Sequence, residues 1–290
     1  MEFRFTRTDK SLSSPLPPSG THYGAVLLCR GHGEERTSLG PGRYRGFGFW
    51  QLDRFGQLNV GLPVGMKPRV VISGAGDGAL QDYIRITTGK PSAAEVYAGL
   101  RVSAASELAV ASAEDQFQRV FAQARTSKQE HDALQELQEA HARAARAAYA
   151  HPMTQGALQG LFYTPRVLDV RLIYGCTHFG HCYALNRFLV LLIAHHLDTQ
   201  GVQTLYPQQR VIDVRPTVAS AHPCLHPSSC HGKDHDVDVA SHPSCYGATG
   251  APLVPTVANV VVLRHGVQPP KKPGRSRPMR RQFMPFYLHT

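Results

Sequence analysis

Residues 69–84 read Arg-Val-Val-Ile-Ser-Gly-Ala-Gly-Asp-Gly-Ala-Leu-Gln-Asp-Tyr-Ile, a β-branched run that enters a glycine turn and then a helical pattern. This context is what a dinucleotide-binding turn requires. Gly74 permits the tight turn, Gly76 lets backbone amides approach a pyrophosphate, and Ala79 lets the helix pack close to its strand. Asp77 and Gly78 complete the turn at the helix start, whose free N–H groups and positive dipole end favour an anion. Asp77 and Asp82 read as helix-start and solvent residues rather than as a general acid and base.

Other residue clusters carry less chemistry. The segment 222–245 holds His222, Cys224, His226, Cys230, His231, Asp234, His235, Asp236, Asp238, His242 and Cys245. Thiolate and imidazole donors suit zinc, but no paired Cys-x-x-Cys occurs, so the segment reads as a polar, His-rich loop and no metal site is assigned. Cys176 and Cys182 are too far apart for a dithiol motif and read as buried or incidental thiols. Arg264-His265-Gly266 resembles a phosphatase element, yet it lies far from the start of the chain, and His265 reads as a strand-end packing or hydrogen-bonding residue. No Gly-x-Ser-x-Gly elbow nominates a serine nucleophile. The catalytic residues stay unassigned.

The elements that must position the turn follow from periodicity. Residues 23–29 read as a first strand ending in a second glycine loop, Gly31 and Gly33, placed to approach the same ligand. Residues 40–55 read as a packed aromatic loop. Residues 93–149 are rich in Ala, Glu, Gln, Arg and Leu at helical spacing and read as a helical insertion. Its apolar stripes, Phe117, Val120 and Phe121, then Leu134, Leu137 and Ala140, are expected to bury against the body. A second unit follows, with strand 167–174, loop 175–182 and helix 184–197. In that helix Leu185, Phe188, Leu189, Leu192 and Ile193 face the core, while Arg187 either reaches a phosphate or, with Asn186, settles the local backbone. Weaker strands fall within 203–214, and 259–266 is the last strong strand. The pattern predicts an α/β fold, a Rossmann-like doubly wound sheet with a helical insertion at about 93–150. The domain spans 23–268, between a polar segment at 1–22 and a basic tail at 269–290.

In family order, Val26-Leu-Leu-Cys-Arg-Gly31, Val70-Val-Ile-Ser-Gly-Ala-Gly-Asp-Gly-Ala79 and Val260-Val-Val-Leu-Arg-His-Gly266 resemble the nicotinamide-binding half of FAD/NAD(P)-binding flavoproteins. The resemblance implies NAD or NADP at the glycine turn and an oxidoreductase-like activity, in a truncated or remodelled relative. Cys29 and Arg30 depart from the small residue and threonine of that pattern. No flavin-type fingerprint precedes residue 23, so FAD is expected only where a further segment or another subunit supplies its site. Glu95 has the spacing of a ribose-binding acid but falls in a helical stretch, which leaves NAD and NADP unseparated. A non-enzymatic dinucleotide-binding module or partner subunit is the alternative.

Composition narrows the partners. Of the formal charge of +10, Lys271, Lys272, Arg275, Arg277, Arg280 and Arg281 supply six, and removing those six leaves +4. That remainder suits a nucleotide without calling for nucleic acid, and the tail reads as a solvated extension. The longest apolar run, 188–194, is far short of the roughly 20 residues that cross a bilayer. With no signal-like segment at 1–20, the expectation is a cytoplasmic protein with reduced thiols, binding a dinucleotide and, as a further partner, another protein or a second copy of itself.

Overall fold

Side chains alternate across a strand, so a run that is apolar at every position needs cover on both faces. The computed structural model describes residues 36–39, 44–49, 55, 68–161, 169–216, 235–241 and 254–266, and it shows that cover for three such runs. Short strands β1 (Ser38–Leu39) and β2 (Tyr44–Arg45) come first. Strand β3 (Arg69–Ser73) then leads into α1 (Asp77–Thr88). Helices α2 (Ala93–Gly99), α3 (Ala104–Gln123), α4 (Ser127–Tyr149) and α5 (Pro152–Leu161) follow. Next are β4 (Asp169–Tyr174), α6 (Ala184–Thr199) and β5 (Leu205–Pro207). The chain continues through β6 (Gln209–Pro216), β7 (His235–Ser241), β8 (Val254–Ala258) and β9 (Val260–Leu263).

Four parallel strands form the central sheet in the order β5-β4-β3-β9. Val70 and Ile72 of β3, Val170 and Leu172 of β4, and Val260 and Val262 of β9 point into one core, with Leu80, Tyr83 and Ile84 of α1 and Phe188, Leu189 and Leu192 of α6. The intervening Val71, Ile173, Val261 and Leu263 point into a second core, with Val211, Val214, Val237, Val239 and Ala258 of the antiparallel sheet β6-β7-β8. The fold is therefore mixed α/β in three layers. Among the described residues helices cover one face only, and an antiparallel sheet takes the place of the helices that a doubly wound sheet carries on the other. The reason is local: 235–241 alternates with period two, Val237 and Val239 buried and Asp236 and Asp238 half-buried, while 209–216 turns Val211 and Val214 into the same core across a bulge between Val211 and Asp213.

That strand corrects the reading of 222–245 as one His-rich loop, since 235–241 is the middle strand of a sheet. Val120 is corrected too: it is 41% exposed, while Phe117, Leu134 and Leu137 pack helix against helix in a small cluster of α3 and α4. These two helices flank an open cavity of about 270 Å³ lined by Phe117, Val120, Leu137 and Arg143. The chain passes from the antiparallel to the parallel sheet at Asn259, which donates its N–H to Arg69 O at 2.8 Å and accepts the Arg69 N–H on Oδ1 at 2.8 Å. Among the described residues no helix is long and apolar enough to cross a membrane. Gly31, Gly33, the strand expected at 23–29, residues 222–234 and 242–245, and the tail lie outside the described residues.

Candidate functional site

The glycine turn sits at the carboxyl end of β3, the strand between β4 and β9 at which the order of the parallel strands reverses, and open α/β sheets bind ligands at such a position. Hydrogen bonds hold it from both sides. Gly74 N–H donates to Ile173 O at 3.0 Å and Gly180 N–H to Ala75 O at 2.8 Å, while Arg264 N–H donates to Ser73 O at 2.8 Å. Ser73 Oγ and His265 Nε2 lie 2.8 Å apart, which gives His265 the strand-end hydrogen bond expected of it.

The members of the turn meet different surroundings. Gly74 has φ +149°, and a Cβ there would stand 2.3 Å from Arg264 O, so this glycine serves the close approach of the chain beyond β9. Gly76 precedes α1 with φ −99° and ψ 178°, and its N-cap position makes no side-chain bond. Among the described residues nothing lies within 4 Å of a Cβ placed on Gly76. A Cβ on Gly78 would sit 3.3 Å from the Phe49 ring and 3.4 Å from Arg264 Cδ. Ala79 is fully buried, as close helix-to-strand packing demands.

Asp77 stands at the start of α1, but its carboxylate turns to α6. Its Oδ1 accepts from Tyr183 N–H at 2.7 Å and from Asn186 Nδ2 at 2.8 Å, so it caps that helix and ties two helix starts together. Burial raises its pKa, against the lowering effect of those bonds and of Arg187. Asp82, expected in solvent, is wholly buried and paired with Arg264 Nε at 2.7 Å. Arg264 also donates from Nη1 to Phe47 O at 2.5 Å and lies over the rings of Phe47 and Phe49. Its Nη2 is buried without a hydrogen-bond partner among the described residues.

Arg187 is 1% exposed, with Nη1 donating to Gln138 Oε1 at 2.9 Å and Nη2 to Gly180 O at 3.0 Å. These contacts belong to the backbone-settling alternative. They are also part of a polar seam that periodicity did not disclose. His131, Gln135, Gln138 and His141 recur along one side of α4 at steps of four, three and three, and each has a partner across it. Thr177 Oγ1 donates to Gln135 Oε1 at 3.3 Å, and Phe179 N–H to Gln138 Oε1 at 3.4 Å. His178 Nε2 lies 2.9 Å from His131 Nδ1. His141, fully buried, places Nε2 2.9 Å from Glu114 Oε1 of α3. Cys176 and Cys182 are free thiols on the facing loop, and burial pushes Cys182 up to about 12. Glu95 is exposed in the first turn of α2.

The groups able to hold a cofactor are thus the turn at 74–79 with Arg264, and those able to hold a metal are His131, Cys176 and His178. The turn was legible from glycine spacing, whereas Arg264 beside it was not. The second set needed the fold, because α4 and the β4–α6 loop are far apart in sequence. Set against known proteins, the chain matches no family model, no curated protein and no solved structure.

Proposed function

We propose that the carboxyl edge of the parallel sheet binds a dinucleotide, NAD or NADP, with its pyrophosphate over Gly76 at the start of α1, in an oxidoreductase-like protein. The observation that carries this reading is the open face of Gly76 at the carboxyl end of β3, where the order of the parallel strands reverses. Taken in chain order, the parallel strands lie third, second, first, fourth across the sheet, which is the order of the first four strands of a Rossmann-type sheet. Arg264, whose Cδ would lie 3.4 Å from a Cβ on Gly78, has a buried Nη2 with no hydrogen-bond partner among the described residues and adds a cationic donor for an anion. This order also supports kinship with the nicotinamide-binding half of FAD/NAD(P) flavoproteins, with FAD supplied through another segment or subunit. In a redox reaction the nicotinamide transfers hydride, and this chain positions it.

The commitment of Asp77 to α6 and of Asp82 to Arg264 favours a second reading, a binding module without turnover, because both acids at the turn are held in structural bonds. Titration with NAD(H) and NADP(H) tests the shared claim. Gly76→Val should weaken binding by at least tenfold, about 1.4 kcal/mol, with the melting temperature retained. Equal affinity in the folded variant would move the ligand elsewhere. Oxidation of NAD(P)H with an added flavin and acceptor separates the enzyme from the binding module.

A further inference from the structure

We infer that His131, Cys176 and His178 form a binding site for a transition-metal dication, zinc being the natural occupant. One ligand atom from each of the three side chains lies within 4.8 Å of the other two. The donors come from two elements: His131 from the second turn of α4, and Cys176 and His178 from opposite sides of Thr177 in the loop after β4. A thiolate with two imidazoles is a donor set that suits zinc and discriminates against magnesium and calcium.

The geometry is close to what the ion requires. Tetrahedral zinc with Zn–N of about 2.0–2.1 Å sets its two nitrogens about 3.3 Å apart and a sulfur about 3.6 Å from each. The two imidazole nitrogens stand 2.9 Å apart and need to part by only a few tenths of an ångström, while the Cys176 sulfur, within 4.8 Å of the imidazole ligand atoms, closes by roughly 1 Å or less to reach the ion. The outer nitrogen of His178 is already set for the task. Its Nδ1 lies 2.7 Å from Phe179 O, and a carbonyl can only accept, so Nδ1 carries the proton and the Nε2 lone pair points toward His131. An imidazole whose second nitrogen donates to a backbone carbonyl is the usual support of a metal-ligating histidine. In the metal-free protein His131 donates Nδ1–H to that lone pair. Binding shifts the His131 proton to Nε2, and the Cys176 thiol releases one proton to solvent as its sulfur bonds the ion.

Thr177, between the two loop ligands, is fastened to Gln135 one turn along α4 from His131, and the Phe179 N–H is fastened to Gln138. The loop is therefore held in register with the helix independently of the ion. His178 is buried, while His131 and Cys176 are half-buried, which leaves a path from solvent. Three protein donors leave a fourth position for water or a substrate oxygen, the arrangement of catalytic rather than structural zinc sites. This inference is independent of dinucleotide binding at Gly76.

The test uses the full chain, stripped with chelator and titrated with Co²⁺ and then with Zn²⁺ against a chromophoric competitor. One equivalent of Co²⁺ should bind with a thiolate-to-cobalt charge-transfer band, and Zn²⁺ should displace it. Cys176→Ser should abolish the band, whereas Cys230→Ser, in the separate His-rich segment, should leave it unchanged. His131→Gln, on the half-buried helix side, should lower affinity by more than the roughly 10–100-fold typical of outer-shell changes while keeping the helical circular dichroism. A band that survives Cys176→Ser, unchanged affinity in folded His131→Gln, or no stoichiometric binding would each overturn the assignment.

Discussion

Gly74 and Gly76 stand two residues apart in one turn and serve opposite purposes. Gly74 faces backbone: φ is +149° and Arg264 O would lie 2.3 Å from an added Cβ. Neither partner can give way without parting β3 from the chain beyond β9. Gly74→Ala should therefore destabilise by about 2 kcal/mol or more, combining strained backbone with overpacking. Gly76→Ala, at a φ any residue adopts and in open space, should cost only the poorer helix cap, about 1 kcal/mol or less. Denaturant unfolding of the two variants side by side checks the contrast, and equal losses would refute it. Spacing assigned Gly74 to the tight turn and Gly76 to the approach of a ligand. It could not disclose that the chain beyond β9 presses on Gly74, because Arg264 lies far along the sequence.

At the scale of elements, β3, α1, β4, α6 and β9 were legible because their apolar spacing changes period at glycine turns. Strand β7 was hidden by its composition: His235, Asp236 and Asp238 resemble a metal-binding tract, while the alternation that matters rests on Val237 and Val239. The seam on α4 was hidden for the reverse reason. Polar residues repeating along a helix ordinarily mark a solvent face, and only the packing of α4 against its neighbours buries Gln138, beside Phe179 and Arg187, and His141, beside Glu114 and Arg187. His141 faces Glu114 and Arg187, and burial, the largest influence, lowers its pKa despite the raising effect of Glu114. Burial lowers His196 and His265 as well. These groups fold as neutral imidazoles, so the stability they allow is full above the unfolded value of about 6.5 and is lost as pH falls below it. Asp77, raised by burial, acts in the opposite sense at the lower pH where carboxylates titrate. Unfolding free energy should fall between pH 7.5 and pH 5.5, and His141→Gln should make that fall shallower. An unchanged slope in the variant would show that His141 is not among the groups responsible.

For the whole molecule, the central sheet is the wall shared by two cores, and β3 is the strand on which both depend. Its partner β9 enters from far along the chain: Arg69 and Asn259, which bond at the foot of the two strands, are 190 residues apart. Helices α3 and α4 form from neighbouring residues, whereas joining β3 to β9 closes a very long loop, and contacts of that span are made slowly. The crevice beside Gly74 has no second wall until Arg264 donates its N–H to Ser73 O. During refolding, pulsed hydrogen exchange should show protection of α3 and α4 amides before those of Asn259 and Arg264. Simultaneous protection would contradict this order. Before that closure β3 offers an unpaired edge to any other chain, which makes the waiting period the time of greatest exposure to aggregation. On the proposed reading, competence to bind at the turn then arrives only with this late closure, so a chain that already carries its helices could not yet hold a dinucleotide there.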